Sequence, residues 1–434
     1  MPKPYISWGR FPYQEQTGTD IHWMSDGLPL DGEFLPQGNG RSYGDSCMNQ
    51  GGMVLSTRFL RRFMDFDPET GIIRCESGTL LADILAVVEP QGWFLPVTPG
   101  TKFASVGGAI ANDVHGKNHH VAGTFGCHIN QFELLRSDGD RLICSSTQNS
   151  DWFRATIGGL GLTGLITWVE MQLKKVGSSA INTESIRYST LSDFFQLSEE
   201  SEHDFEYTVA WLDCLASGAQ LGRGHFIRGN HGRVTQPKPQ PPSRQFRVPF
   251  APPLSLVNNF SVRGFNSLYY HSHLQQRQWS TQHYEPFFYP LDGIQDWNLM
   301  YGPKGFLQFQ CVVPPQSSHD AIKEMLERIA AAGSGSFLVV LKMFGNVPSP
   351  GMLSFPRPGA TLALDFPYQG NKTIQLFDAL EEIVVQAEGA IYPAKDAHMG
   401  AANFMKFYPQ VEEFLKFKDP RISSSFWRRV MGKT

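Results

Sequence analysis

Glycine-rich turns recur in the N-terminal part of this 434-residue chain, and their spacing points to a definite chemistry. They read PQGNGRSYGDS at 36–46, PGTKFASVGGAIANDVHGKNHHVAGTFG at 99–126 and IGGLGLTGLIT at 157–167. Glycine lets a backbone turn sharply and approach a ligand closely. Amide groups freed in such turns point at anions. The pattern therefore predicts a large cofactor that carries a diphosphate and is wrapped by separate loops.

The first loop does not fit the commonest dinucleotide-binding motif. That motif is G-x-G-x-x-G between a strand and a helix, with an acidic residue about 20 positions later. Gly38 and Gly40 match its first two glycines, but Gly44 comes one position late. Asp45 and further polar residues then follow where an apolar helix is required. We therefore predict a different cofactor fold.

Hydrophobic periodicity predicts the elements that position these loops. A strand at 71–75 and a helix at 79–88 precede the second loop. Two strand-helix-strand units follow later, with strands at 306–313, 337–343, 361–366 and 390–392 and helical apolar stripes at 322–329 and 376–387. Units of this kind indicate an antiparallel sheet backed by helices. A break in the pattern after Leu173 marks a domain boundary.

Composition limits the class of protein. No run of about 18 apolar residues occurs and no apolar stretch of signal-peptide length opens the chain, so we predict a cytoplasmic protein. Six cysteines without a paired spacing favour free thiols. A net charge of -4, a pI near 6.4 and the lack of a recognised module argue against a nucleic-acid partner.

A long stretch without acidic residues separates Asp213 from Glu285. Its proline-rich centre at 236–253 fits neither a helix nor a central strand. Basic and aromatic residues are mixed along it: Arg223, Phe226, Arg228, Arg233, Lys238, Arg244, Phe246, Arg247, Phe250, Phe260, Arg263, Phe265, Tyr269, Tyr270, Arg277 and Trp279. This mixture suits a phosphate that carries an apolar chain, or an anionic membrane surface. A flexible linker with solvated charges is the alternative.

The histidine cluster at 115–120 invites a metal-site interpretation. His115 and His119 are four residues apart, a spacing that suits zinc on a helix. The intervening Gly116 and Asn118 oppose a helix, and no carboxylate or thiol has a matching spacing. We predict no metal site.

The glycine-rich segments GNGRSYGDS, PGTKFASVGGAIANDVHGKNHH and GGLGLTGLI resemble the signatures of the vanillyl-alcohol-oxidase, or PCMH-type, FAD fold. More narrowly, the chain resembles the decaprenylphosphoryl-ribose 2′-oxidases, and the similarity continues through YGPKGFLQFQ, LKMFG, LDFP and YPAKDAH. The resemblance implies an α+β fold. It places a PCMH-type FAD-binding domain at 1–175, a substrate domain at 176–389 with a mobile basic loop at about 229–256, and a segment at 390–434 that returns to the FAD domain.

The same resemblance implies which residues bind FAD. They are Gly38, Asn39, Gly40, Arg41, Ser42, Tyr43, Gly44, Asp45, Gly100, Thr101, Ser105, Val106, Gly107, Gly108, Asn112, Asp113, Val114, His115, Ile166 and Tyr392. Wider relatives attach FAD covalently through a histidine in the first loop. This chain has Arg41-Ser42-Tyr43 there, and arginine does not form that bond, so we predict non-covalent FAD.

Lys395 is the strongest catalytic candidate that the resemblance implies, together with Tyr43, His115 and Gln310. Lys395 would stabilise negative charge on the flavin or grip the substrate, whereas service as a base requires a large downward pKa shift through burial. A surface lysine paired with Asp396 is the alternative. His115 and Tyr43 stay open as proton acceptors or as packing partners of the flavin. The implied substrate-binding residues are Trp211, Gln308, Gln310, Lys342 and Lys395.

The implied reaction is oxidation of the 2′-hydroxyl of a polyprenyl-phosphoryl ribofuranose to a ketone, in the synthesis of an arabinan precursor for the cell envelope. A short-chain reductase would complete the epimerisation, and contact with membrane lipid at the inner face of the cell membrane is expected. Ala363 departs from family members that carry cysteine there, which leaves the pocket wall different. The alternatives are an oxidase of soluble polyols or aldonolactones and a non-catalytic subunit of a glycan-assembly complex.

Overall fold

A computed structural model describes residues 5–233, 246–273 and 275–432. The strands are β1 (Thr17–Asp20), β2 (Phe34–Gln37), β3 (Met53–Ser56), β4 (Phe63–Asp67), β5 (Ile72–Glu76), β6 (Trp93–Phe94), β7 (Ile129–Leu135), β8 (Arg141–Ser145), β9 (Leu165–Gln172), β10 (Lys174–Lys175), β11 (Ile181–Tyr188), β12 (Tyr207–Leu212), β13 (Gly224–His231), β14 (Phe246–Arg247), β15 (Arg277–Gln282), β16 (Ile294–Gln295), β17 (Phe306–Val313), β18 (Val339–Phe344), β19 (Gly359–Pro367) and β20 (Ala390–Ile391). The α-helices are α1 (Leu81–Val88), α2 (Val106–Ala111), α3 (His119–Ala122), α4 (Ser150–Thr156), α5 (Leu191–Ser201), α6 (Asn259–His271), α7 (Tyr284–Phe288), α8 (Ser318–Ala332), α9 (Asn371–Gln386), α10 (Ala401–Phe407), α11 (Val411–Phe414) and α12 (Ser425–Val430).

Within the described ranges, most strands belong to two antiparallel sheets. The first has five strands in the order β4-β5-β9-β7-β8. The second has eight strands in the order β15-β11-β13-β12-β18-β19-β17-β20. A small parallel sheet, β1-β3-β2, carries the strand that leads into the first glycine-rich loop. This architecture confirms the predicted α+β fold with a large antiparallel sheet.

Helices cover one face of the eight-stranded sheet because side chains alternate along its strands. On β17, the Phe309 ring packs against Phe377 of α9 at 5.7 Å, and Cys311 lies 3.7 Å from the sulfur of Met325 on α8. The apolar stripes of α8 and α9 are buried against this face, as the periodicity predicts. The opposite face carries Gln308 and Gln310, and we call it the cavity face.

The C-terminal region closes against the first glycine-rich loop. Arg429 of α12 forms a two-point ion pair with Asp45, with N–O distances of 2.6 and 3.0 Å, and its guanidinium also contacts Asp396 at 2.9 Å. Arg429 is 25% exposed, whereas Asp45 and Asp396 are 6% and 4% exposed. Burial raises the pKa of Asp45, and the Arg429 charge opposes this rise. One arginine thus joins the loop to the segment that contains Lys395.

The segment predicted as a mobile loop at about 229–256 is structured at both described ends. Residues 229–231 continue β13, which pairs with β11 and β12. At the other end, β14 pairs in parallel with β16. Residues 234–245 lie outside the described part of the chain. The domain boundaries remain predictions.

Four of the basic residues in this stretch pair with carboxylates in the described part of the chain, so part of its positive charge is offset. The carboxylates at its flanks and outside it supply the partners: Arg223 pairs with Asp213, Arg228 and Arg277 pair with Glu184, and Arg247 pairs with Asp296. Phe226 is also buried, at 1% exposure, because it lies inside the eight-stranded sheet. The aromatic and apolar residues of 246–279 that are exposed are Phe246, Phe250, Leu254, Leu256, Phe260, Phe265, Leu268 and Trp279.

Candidate active site

A cavity of about 890 Å³ lies between the glycine-rich loops and the cavity face of the eight-stranded sheet. This volume is at the upper end of the range for small-molecule sites. The sequence-predicted residues at its wall are Gly38, Asn39, Gly40, Arg41, Ser42, Tyr43, Gly100, Thr101, Ser105, Gly108, Asn112, Val114, His115, Gln308, Gln310, Lys342, Tyr392 and Lys395. The chain therefore brings most of the predicted site to one space, although these residues come from distant parts of the sequence.

The remaining predicted residues lie outside this wall: Gly44, Asp45, Val106, Gly107, Asp113, Ile166 and Trp211. Asp113 supports the wall from outside it. Asp113 accepts hydrogen bonds from the Gly126 amide at 2.9 Å and the Ser354 hydroxyl at 2.6 Å, which ties the second glycine-rich loop to a later segment. Trp211 shares a face of β12 with Val209 of the wall, but its indole donates to the Phe337 carbonyl at 3.0 Å and its ring packs on Tyr269, outside the wall.

The two glycine-rich loops at the cavity have the unsatisfied donors that a diphosphate cofactor requires. Among the described residues, the amides of Asn39, Gly40 and Arg41 and those of Gly100 and Thr101 donate no hydrogen bond. These residues are partly or fully exposed along the cavity, so their amides are available to an anionic ligand. The Arg41 Nε atom is also buried without a partner, and its guanidinium lies 4.1 Å from the Trp8 ring. These features fit the diphosphate of FAD.

Close contact between these loops predicts that FAD affinity depends on Gly38. A Cβ atom at position 38 would lie 2.0 Å from Ser105 Oγ, which accepts from the Gly108 amide at the start of α2. Gly38→Ala would therefore displace the Ser105 cap and separate the loops, at a cost of about 0.5–2 kcal/mol or more. We expect the Kd for FAD, measured by fluorescence titration of the apoprotein, to rise about tenfold. Gly27→Ala is the control, since a Cβ there meets no atom within 4 Å; equal affinities of the two variants would contradict the prediction.

Lys395 is held over the ring of Tyr43, with its ammonium nitrogen 3.6 Å from the ring centroid. The sequence alternative, a surface lysine paired with Asp396, is wrong because Asp396 binds Arg429 instead. Burial lowers the pKa of Lys395 to about 7, and the charge of Asp365 opposes this shift. Burial therefore favours the neutral amine at this position, which is the form that a lysine base requires.

Asp365 is a functional candidate that the sequence interpretation missed. It is fully buried on the cavity face of β19, opposite Gln308 of β17, and accepts a hydrogen bond from the Gln308 carboxamide. Its second carboxylate oxygen has no partner among the described residues. Burial raises the pKa of Asp365, and the Lys395 charge opposes that rise. The sequence signal for this placement was the two-residue period of a strand, which puts position 365 on the same face as Thr361 and Ala363.

His115 joins the second glycine-rich loop to the cavity face. Lys342 Nζ lies 3.1 Å from His115 Nδ1 and donates to the Gly116 carbonyl at 3.1 Å, while the Gln310 carboxamide lies 2.9 Å from His115 Nε2. Burial, followed by the Lys342 charge, holds the pKa of His115 well below its ordinary value. The imidazole is therefore neutral at pH 7 and orients its neighbours without adding charge.

Comparison with known proteins agrees with this geometry. Residues 31–145 match a family described as an FAD binding domain. The chain is 34% identical over 394 residues to decaprenylphosphoryl-β-D-ribose oxidase of Mycolicibacterium smegmatis, covering 88% of this chain and 85% of that protein. It is 30% identical over 344 residues to an uncharacterized protein of Streptomyces coelicolor, covering 76% and 93%. A D-lactate dehydrogenase of Anaerostipes hadrus is 26% identical over 151 residues, which cover 33% and 31%.

Free loop amides facing a cavity on an antiparallel sheet, together with the matching cofactor domain, define an FAD-dependent oxidoreductase. This confirms the predicted cofactor. Since similarity to the mycobacterial enzyme extends over most of both chains, this protein belongs to the decaprenylphosphoryl-β-D-ribose oxidase family.

Proposed function

We propose that this enzyme oxidises the 2′-hydroxyl of a polyprenyl-phosphoryl β-D-ribofuranose to the 2′-ketone. The observation that carries the proposal is the convergence of Lys395, Tyr43, Gln310 and Lys342 on a cavity that also contains the free loop amides. The name of the mycobacterial relative supports the substrate class. A separate short-chain reductase would then reduce the ketone from the opposite face and complete an epimerisation to the arabinose lipid.

Each polar side chain on the cavity face has a separate task in this proposal. FAD, when bound, would supply the acceptor for the hydride of a carbinol carbon and would carry the resulting negative charge. Lys395, as the neutral amine, takes the proton of the same hydroxyl, and the ammonium that results offsets the new negative charge beside it. Gln308 and Gln310 would accept hydrogen bonds from sugar hydroxyls through their carboxamide oxygens and so fix the face that is presented. Their amide nitrogens are already committed within the protein. Tyr43 stacks under Lys395 and keeps water from its nitrogen.

FAD is a non-covalent ligand in this account. Arg41-Ser42-Tyr43 stands in the first loop where wider relatives carry the histidine that attaches FAD, and arginine does not form that bond. Affinity would come from the loop amides and from the closely packed wall around Gly38 and Ser105.

The test of substrate class is turnover with three kinds of alcohol. A short-chain prenylphosphoryl-β-D-ribofuranose should be converted to a product two mass units lighter, with the FAD-loaded enzyme and an electron acceptor present. Pentitols and aldonolactones should give no product at matched concentrations. Preferential oxidation of the soluble alcohols would overturn the proposal.

We further propose that an exposed apolar surface guides the lipid chain from the membrane to the cavity. Arg247 lies at the cavity wall, next to the exposed Phe246 and Phe250. The chain continues from there to α6, where Phe260 and Leu268 are 90% and 77% exposed. No helix in the described residues is long and apolar enough to cross a membrane, so contact would be peripheral.

This surface predicts vesicle binding that depends on α6. Phe260→Ser combined with Leu268→Ser should weaken binding to phosphatidylglycerol vesicles about tenfold or more, because burying each side chain contributes about 1.5–3 kcal/mol. Co-sedimentation measures the change. Leu30→Ser is the control, since Leu30 is 90% exposed outside this surface. Undiminished binding of the double variant would contradict the prediction.

A further inference from the structure

Lys117 lines the cavity, and the sequence interpretation gave it no role. It follows His115 and Gly116, and its backbone carbonyl accepts a hydrogen bond from the Thr208 amide of β12 at 3.0 Å. This bond places Lys117 against the eight-stranded sheet. The loop amides suited to the FAD diphosphate lie at Asn39–Arg41 and Gly100–Thr101, in other segments of the cavity wall.

The Lys117 ammonium has no carboxylate partner among the described residues. Its nitrogen lies 5.7 Å from the centroid of the Phe287 ring. Burial alone lowers the pKa of Lys117 to about 8. An unpaired ammonium in such a place is costly unless a bound anion offsets it.

Lys342 extends the same cationic surface. Its Nζ atom is committed to the Gly116 carbonyl and to His115, and neither group is an anion. Burial lowers the pKa of Lys342 to about 7, and the neighbouring charge of Lys117 contributes to the shift. Lys117 and Lys342 thus place two like charges on adjacent parts of one wall, with no carboxylate between them in the described residues. Such a pair suits a singly or doubly charged anion.

We propose that Lys117 and Lys342 form the subsite that binds the phosphate of the sugar lipid. The inference rests on the proposed function, since it identifies the anion as part of the substrate of this same site. With the phosphate held there, the furanose would lie along Gln310 toward Lys395, and Phe288 and Val209 of the wall would contact the first isoprene units. Lys117 then selects phosphorylated sugars and takes no part in the oxidation step.

The test measures binding of a ligand that the enzyme does not oxidise, so it is independent of turnover. The probe is a short-chain prenylphosphoryl 2-deoxy-β-D-ribofuranose, and its partner is the matching prenyl deoxyriboside without phosphate. Lys117→Gln should raise the Kd of the phosphorylated probe about ten- to hundredfold and leave the Kd of the uncharged probe unchanged. Lys117→Arg should retain most of the affinity because it keeps the charge.

Proton uptake supplies a second readout. Binding of an anion should raise the pKa of both lysines, so at pH 8 the wild-type protein should take up protons when the phosphorylated probe binds, as calorimetry in buffers of different ionisation enthalpy detects. Lys117→Gln should reduce this uptake. Lys323→Gln, at an exposed position of α8, is the matched control and should behave as wild type.

The outcomes separate the two proposals. Equal loss of affinity for both probes in Lys117→Gln, or no loss for either, would overturn the phosphate subsite. A phosphate-dependent loss supports the subsite even if the 2′-hydroxyl sugar is not oxidised, in which case only the proposed reaction fails. The visible spectrum of bound FAD in each variant checks that the cofactor site is intact, and a weaker FAD affinity of Lys117→Gln would assign Lys117 to the cofactor and overturn the inference.

Discussion

Replacing Lys395 with methionine should lower kcat for sugar oxidation about 10²–10⁴-fold, the usual effect of removing a positioned proton acceptor. Methionine keeps the length and the apolar stem that packs on Tyr43 but removes the nitrogen. FAD should remain bound, because the free loop amides that fit its diphosphate are contributed by other segments. Steady-state kinetics, with the flavin content of the variant measured from its absorbance, tests this prediction.

A matched pair of variants separates proton transfer from charge. Lys395→Arg keeps a positive charge but stays protonated throughout the accessible pH range. We expect kcat to remain low in Lys395→Arg as well. Recovery of activity in this variant at pH 7 would show that Lys395 acts by charge alone.

The pH dependence of turnover also tests whether Lys395 acts as the proton acceptor. Since burial lowers the pKa of Lys395 to about 7, the amine becomes available as pH rises through that value. The wild-type kcat, measured at saturating substrate, should therefore increase from pH 6 to pH 8 and then level off. This increase with pH should be absent in Lys395→Met. The ratio kcat/KM is less direct, because it also contains the loss of charge on free Lys117 as pH rises through about 8.

Replacing Arg429 with methionine should lower the free energy of unfolding by about 3–5 kcal/mol, because two buried carboxylates would lose their cation. Asp45 would keep no other ion pair among the described residues, and Asp396 would keep only backbone donors at His398 and Met399. Denaturant unfolding of the wild type and the variant, both loaded with FAD, measures the loss.

Neutral isosteres provide the control for this prediction. Asp45→Asn and Asp396→Asn together in the Arg429→Met background should recover much of the lost stability, since no unpaired charge would remain buried. The loss should also diminish as pH falls: without Arg429, burial raises the Asp45 pKa further, and protonation below that pKa removes the charge. A loss that is unchanged at low pH and in the triple variant would show that Arg429 acts through packing alone.

Local patterns predicted the elements well because burial on one face imposes a period on the sequence. The strand predicted at 361–366 is β19, and the stripe ending at 387 lies on α9. The order of the strands in the sheet could not be predicted from the sequence, because β12 and β18 are neighbours although more than a hundred residues separate them in the chain. That pairing is what brings Lys342 to the cavity face.

The parts of the site that escaped prediction depend on pairs of distant residues. The positive stretch after Asp213 suggested an anion surface, yet Glu184 of β11 neutralises two of its arginines. Conversely, Lys117 drew no interpretation inside the histidine cluster, although the fold leaves it without a carboxylate partner in the described residues. The sequence alone therefore does not show which basic residues are free to bind an anion, because their ion-pair partners come from distant parts of the chain.

The most direct test of the proposed 2′-oxidation is an anaerobic single-turnover measurement with deuterated substrate. Short-chain prenylphosphoryl-β-D-ribofuranose, labelled with deuterium at C2′ or at C3′, would be mixed with the FAD-loaded enzyme while flavin absorbance is followed. We predict that the flavin bleaches, that deuterium at C2′ slows bleaching severalfold, and that deuterium at C3′ leaves the rate unchanged. Slowing only by the C3′ label, or no bleaching by this sugar lipid, would contradict the account.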